Sequence, residues 1–128
     1  MAVNIDDIKF VDSSEMPVLH PTTGEPLRDE NGIVATIKLA GVDSDTYRKA
    51  SNKITNRRVK KGSRSQQMTM ERMEADTLEL ICACTLQWTG LSIGGKVPKT
   101  AEELYAGAKW LKPQAEDWIH DRANHLGN

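Results

Sequence analysis

Three prolines within ten residues, Pro17, Pro21 and Pro26, decide how the first third of this chain can fold. Each lacks a backbone donor and biases its predecessor away from the α region, so no helix runs through them. Val18–His20 is expected as a short strand, turned by Pro21-Thr22-Thr23-Gly24. The strongest turn is Asp29-Glu30-Asn31-Gly32, because Asn-Gly readily takes the positive φ of a tight hairpin. Ile33, Ala35, Ile37 and Leu39 then alternate with Val34, Thr36 and Lys38, the period of a half-buried strand. Residues 16–40 therefore read as a β-hairpin or three-strand meander. Before them, Ile5, Ile8, Phe10 and Val11 are too irregular to classify, part early strand and part loose arm.

After Gly41 the period changes. Asp43 or Ser44 can cap a helix that begins near Asp45, with Tyr47, Ala50, Ile54 and Arg58 on one face and Gly62 at its end. Ser65–Thr89 holds neither Pro nor Gly, and its apolar stripe through Met68, Met73, Ala75, Leu78, Ile81, Cys82, Leu86 and Trp88 predicts a central core helix ended by Gly90. Leu91–Lys99 is a loop. Thr100 and Glu103 form a capping box for a helix to about Leu111. Pro113 is placed for the first turn of a last helix through Trp118 and Leu126. The three tryptophans are expected to pack where the C-terminal helices close on the central one. The fold class is α+β and mostly helical: an N-terminal hairpin or meander, then about four α-helices. A chain of 128 residues makes one domain, with a hairpin unit over 1–41 and a helical part over 42–128.

Charge is segregated along this framework. Residues 1–45 carry nine acids against Lys9, Arg28 and Lys38, a net of −6. Residues 46–64 carry eight bases and no acid, and residues 65–128 return to −3. A basic belt between acidic ends suits head-to-tail association, the belt of one copy on the acidic face of the next. The expected contact residues are Arg48, Lys53, Arg57, Arg58, Lys60, Lys61 and Arg64. Met68 and Met70 join them: they lie ~200° apart on a helix, so at least one escapes the core stripe. Methionine supplies adaptable apolar contact. The competing reading is a small nucleic-acid-binding regulator using the basic segment 48–64. Against it stand a single aromatic in the belt, Tyr47, and a chain pI near 6.3.

Other chemistries lack their residues. Gly90-Leu-Ser-Ile-Gly-Gly-Lys96-Val97 matches G-x4-G-K, but Val97 stands where a phosphate loop needs Ser or Thr, and the run follows a helix. Cys82 and Cys84 sit on opposite helical faces and His20, His120 and His125 have no ligand spacing, so no metal or cofactor is expected. Nothing local pairs a nucleophile with a base and an orienting acid, so the chain is not read as an enzyme. The longest nearly uncharged runs are too short or too polar to span a bilayer, and acids in the first twenty residues leave no signal peptide. The cysteine pair, unable to bridge, fits a reducing compartment.

The order of these pieces resembles a known family. His20-Pro-Thr-Thr-Gly-Glu-Pro-Leu27 precedes the strand Ile33–Gly41, and Asp43-Ser-Asp-Thr-Tyr-Arg48 opens the basic helix. A long Met- and Leu-bearing helix ends in Trp88-Thr-Gly90, followed by Trp110-Leu-Lys-Pro113 and Trp118-Ile-His-Asp-Arg-Ala-Asn124. Over nearly the whole chain this is similar to the tail assembly chaperones of long-tailed bacteriophages, specifically siphophages of enterobacteria. The resemblance implies a protein of the host cytoplasm that coats the tape measure protein, keeps it soluble and recruits tail tube subunits around it. It implies a homo-oligomer absent from the mature virion. The family commonly adds a longer product by ribosomal frameshifting, whose extra domain engages the tube protein; this chain would be the short form. Such chaperones carry no catalytic residues.

Overall fold

The structure, a computed structural model, describes residues 2–61 and 69–127. A three-stranded antiparallel sheet is formed by β1 (Ser13–Pro17), β2 (Thr36–Ala40) and β3 (Thr85–Thr89), in that spatial order. Helices α1 (Asp45–Lys61) and α2 (Met70–Cys84) lie between β2 and β3 in sequence. Helices α3 (Ala101–Gly107) and α4 (Leu111–His120) follow β3. The α+β class is as read from the pattern.

The segment between β1 and β2 folds as its punctuation requires. Gly32 takes φ +78° and donates to Asp29 O at 2.9 Å, while Asp29 Oδ1 accepts from the amides of Asn31 and Ile33. β1 pairs directly with β2, so of the two expected arrangements the segment forms a hairpin. Its long connection is closed by backbone bonds of 2.8–2.9 Å among Val18, Leu27 and Ala35 and by isolated bridges Leu19–Pro26 and Arg28–Val34. The strand expected at Val18–His20 lies earlier, ending at Pro17. Ala35, Ile37 and Leu39 are buried as the alternation predicts. Ile33 is exposed, since it still belongs to the turn.

Two boundaries correct the sequence reading. The central helix stops at Cys84, and Thr85–Thr89 is a strand rather than its last turn. The Thr85 hydroxyl donates to Ile81 O at 2.7 Å and its amide turns back to Cys82 O, so the helix terminates on a threonine without Gly or Pro. β3 pairs with β2 as Thr36↔Thr89 and Ile37↔Trp88, then shifts so that Leu39 meets Thr85 and Leu86 bulges out. The sheet is therefore not confined to residues 1–41. The second correction is at the C-terminus. The helix opened by Thr100 ends at Gly107, and α4 ends at His120 and is followed by a 3-10 turn over Arg122–His125.

The core lies between the sheet and α2, α3 and α4, built from Val18, Ile37, Leu39, Ile81, Leu104, Leu111 and Ile119. Gln114 on α4 imitates a strand: its amide accepts from Leu19 N at 3.0 Å and donates to Leu19 O at 2.8 Å. Trp118 and Trp88 pack on the core with their indole N–H groups bonded to Ser14 Oγ and Pro98 O, whereas Trp110 is exposed, against expectation. Tyr47 anchors α1 to α4 through His120 Nε2 at 3.1 Å.

Candidate interaction surface

Helix α1 starts where Ser44 caps it, accepting from Tyr47 N at 3.1 Å. It then pairs with α2 as a helical hairpin. Among its described side chains Ile54 is the one buried large apolar residue, and charge joins the pair as well. Arg58 donates through Nε at 3.0 Å and Nη2 at 2.8 Å to Asp76 Oδ2. Arg57 donates Nη2 to Asp76 Oδ1 at 2.8 Å and Nη1 to Glu79 at 2.9 Å. The Asp76 side chain is only 10% exposed. Burial pushes its carboxyl up, but the hydrogen bonds and charges of Arg58 and Arg57 outweigh that and hold it below the usual carboxylate range.

This clamp redistributes the basic belt. Arg57 and Arg58 are spent on α2, and Arg48 pairs with Asp45 at 3.0 Å. Lys49, Lys53 and Lys60 have no carboxylate within 4.0 Å among the described residues, and their spacing sets them along one face of α1. Lys61 ends α1, its side chain lying outside the described residues together with all of Arg64 and Met68. For a phosphate binder the usable described bases are thus three lysines, not a belt of arginines, which weakens the nucleic-acid reading.

Between α1 and α2 runs an open groove of about 740 Å³. Its floor is apolar: Ala50, Ala75, Leu78, Cys82 and Ala83. Lys49 and Lys53 stand on the α1 rim, Glu79 and Glu102 on the other. Three alanines leave the helices' facing surfaces short of side chain, which is why the groove is open. At the far end of the hairpin, beyond the arginine clamp, Met70 and Met73 are 72% and 48% exposed and Val59 is exposed too. Met70 is exposed although its helical angle puts it within roughly 20° of Ile81, and Met73, expected in the core stripe, is exposed as well, because both precede Asp76, the first buried residue of α2.

Of the residues expected from the sequence, Lys53 lines the groove and Met70 is exposed at the hairpin's end, while the groove floor and Asp76 were not anticipated. The floor's only signal was the run of small residues opposite one another on two amphipathic helices. Asp76, the one buried acid of the four on α2, had a fainter one: two consecutive arginines stand on α1 to meet it.

Two arrangements bear on reactivity. Ser14 Oγ lies 2.9 Å from His125 Nδ1, a contact across 111 residues that no local motif marked. It resembles a nucleophile with its base, but His125 is 2% exposed and Nε2 points to Trp118 O at 3.1 Å. A carbonyl only accepts, so Nε2 carries the proton, and Ser14 also accepts from Trp118 Nε1 at 2.9 Å. The network ties the C-terminal turn to β1. The thiols are quenched: burial pushes Cys82 and Cys84 up to about 11, helped at Cys82 by Glu102. The G-x4-G-K run is a two-residue turn, Gly94 and Gly95 at φ 60° and 80° between the paired Ile93 and Lys96. Among the described residues no group of three or more His, Cys, Asp or Glu is placed to hold a metal ion, and no helix is long and apolar enough to cross a membrane.

No protein-family model, curated protein or solved structure matches this chain.

Proposed function

We propose that this chain is a non-enzymatic tail assembly chaperone of a long-tailed phage, binding the tape measure protein, keeping it soluble and promoting tail tube polymerisation around it. The observation that supports the reading is the apolar end of the α1–α2 hairpin, with Met70, Met73 and Val59 exposed beyond the clamp. It sits on a chain whose segment order resembles that family from His20 to Asn124. A tape measure protein exposes apolar helical stripes until its tube closes, and a bound coat hides them from aggregation. Flexible thioethers suit a rod whose stripe varies along its length.

In this reading the protein acts in the host cytoplasm, is absent from the finished virion and works as a homo-oligomer, since covering a rod takes many copies. Contact with the tube protein falls mainly to the longer frameshift product. The chemistry required of the chain is binding alone, and no residue is given a covalent or proton-transfer role.

The test is co-expression with the long helical protein encoded beside it. The soluble fraction of that partner should rise several-fold and the two should co-purify. A partner equally insoluble with and without this chain, or flanking genes that encode neither a tail tube nor a very long helical protein, would overturn the proposal.

A further inference from the structure

The N-terminal arm is the most conspicuous apolar surface the fold leaves uncovered. Ile5 and Ile8 are 76% and 57% exposed, and Val3, Phe10 and Val11 are exposed as well. Among the described residues the arm is tied down at its root, where Val11 N donates to His125 O at 2.7 Å and Gly127 N to Lys9 O at 2.8 Å. Beyond the root it is ordered by itself. Asn4 caps a 3-10 turn over Ile5–Asp7, its side chain accepting from Asp6 N at 3.1 Å, and Ile8 N closes on Ile5 O at 3.0 Å. With three residues per turn, Ile5 and Ile8 share one side while Asp6 and Asp7 flank them. The result is a preformed knob: two isoleucines edged by two carboxylates.

The α1 side of the α1–α2 groove is the complement of that knob, Glu79 and Glu102 standing on the opposite rim. It offers an apolar floor and, on the α1 rim, two lysines with no carboxylate partner among the described residues. We infer that the Asn4–Ile8 turn of one copy seats in the α1–α2 groove of the next, with Ile5 and Ile8 on Ala50 and Leu78 and with Asp6 and Asp7 against Lys49 and Lys53. The occupant is a second copy because each chain's own arm is rooted on its C-terminal turn and stands exposed there, not in its own groove. Knob and groove are different surfaces, so the contact is heterologous and propagates into an array instead of closing a two-fold dimer. It leaves Met70 and Met73 free for a rod-like partner. The inference rests on the self-association in the proposed function but not on the identity of the tape measure partner.

The test uses the purified full chain alone, by sedimentation velocity at low salt and on the order of 100 µM, where a contact of this small area is populated. Wild type should sediment as a concentration-dependent series above the monomer. Ile5→Ser/Ile8→Ser and Lys49→Glu/Lys53→Glu should each weaken association at least about tenfold and run as monomers. Their melting curves should match wild type, since all four side chains are solvent-facing. The two variants mixed should give a dimer and nothing larger, because the first keeps its groove and the second its arm. Wild type monomeric throughout, either variant still forming the series, or a mixture that stays monomeric would overturn the inference. Because no partner protein is present, these outcomes are read separately from the solubilisation test.

Discussion

Replacing Asp76 with Asn isolates the force that holds the α1–α2 hairpin, and with it both interaction surfaces. The substitution keeps size and one acceptor but removes the charge that three guanidinium N–H groups converge on, at 2.8–3.0 Å. A hydrogen bond to a charged group contributes up to about 3 kcal/mol when desolvated. An exposed ion pair contributes well under about 1 kcal/mol. Asp76 is 10% exposed, but its partners are 40% and 45% exposed, so water screens one side of each pair. The low end of the first range applies, and the expected loss is about 1–2 kcal/mol, or roughly 4 °C in Tm per kcal/mol at this chain length. Glu79→Gln should cost less, because Glu79 is itself 40% exposed and binds Arg57 alone.

The pH dependence carries a second, sharper constraint. The arginines hold the folded carboxyl of Asp76 below its unfolded value near ~4. A carboxyl depressed by folding contributes stability that is fully present above the unfolded value and is lost as pH falls through the folded one. The difference between wild type and D76N should therefore be constant from neutral pH down to about pH 5 and shrink below pH 4. Urea unfolding followed by circular dichroism at pH 7, 5 and 3.5 measures it, with an unchanged m-value showing that the unfolded state is the same. Equal stability at pH 7, or curves that fall in parallel to pH 3.5, would refute the clamp as a stabilising element.

Three further outcomes are expected. Met70→Lys should leave Tm within about 1 °C of wild type, since the side chain contacts mostly solvent; it should lower the soluble yield of the co-expressed tape measure protein, and a large drop in Tm would place Met70 in the core instead. Gly41→Ala should destabilise by about 1–3 kcal/mol in the same urea assay, because the added Cβ would stand 2.7 Å from the buried His125 ring. Cys82 and Cys84 should react with a disulfide reagent at pH 8 at least about tenfold more slowly in the native than in the denatured protein, since burial leaves roughly one thiolate in a thousand there.

How legible the fold was depended on whether each boundary had its own residue. Gly32 ends one turn with a φ few side chains adopt, and Ser44 and Thr100 cap their helices with bonds of 3.1 Å to Tyr47 N and Glu103 N. These features are local, and local reasoning found them. The junction at Cys84 has no breaker. Helix becomes strand there because Thr-Leu-Gln-Trp-Thr can pair with β2, and the gain is visible only once Thr36–Ala40 lies alongside. Leu86 was read as part of a helical stripe; in the strand it is the bulge and faces out. The same holds for β1, whose five residues Ser-Ser-Glu-Met-Pro carry little strand preference and are ordered by their partner.

Charge shows why the interaction surface was only half legible. Counting bases along 46–64 gives +8, but a count along the chain does not see carboxylates 18–22 residues away that fold against it. Asp76 and Glu79 take Arg57 and Arg58 out of the free field and put their energy into the hairpin. Among the described residues, what remains for a partner is the lysine row at 49, 53 and 60, of which Lys49 and Lys53 line the groove. Reversing Arg57 and Arg58 would therefore open the α1–α2 pair before it touched any contact between copies, and a fall in oligomer mass on that variant would report unfolding. The asymmetry between acidic arm and basic helix survives the correction with fewer charges and a defined geometry. For a reversible contact between copies, a few screened lysines around an apolar seat are better suited than eight fixed bases, since their contribution weakens with salt while the isoleucines hold the register.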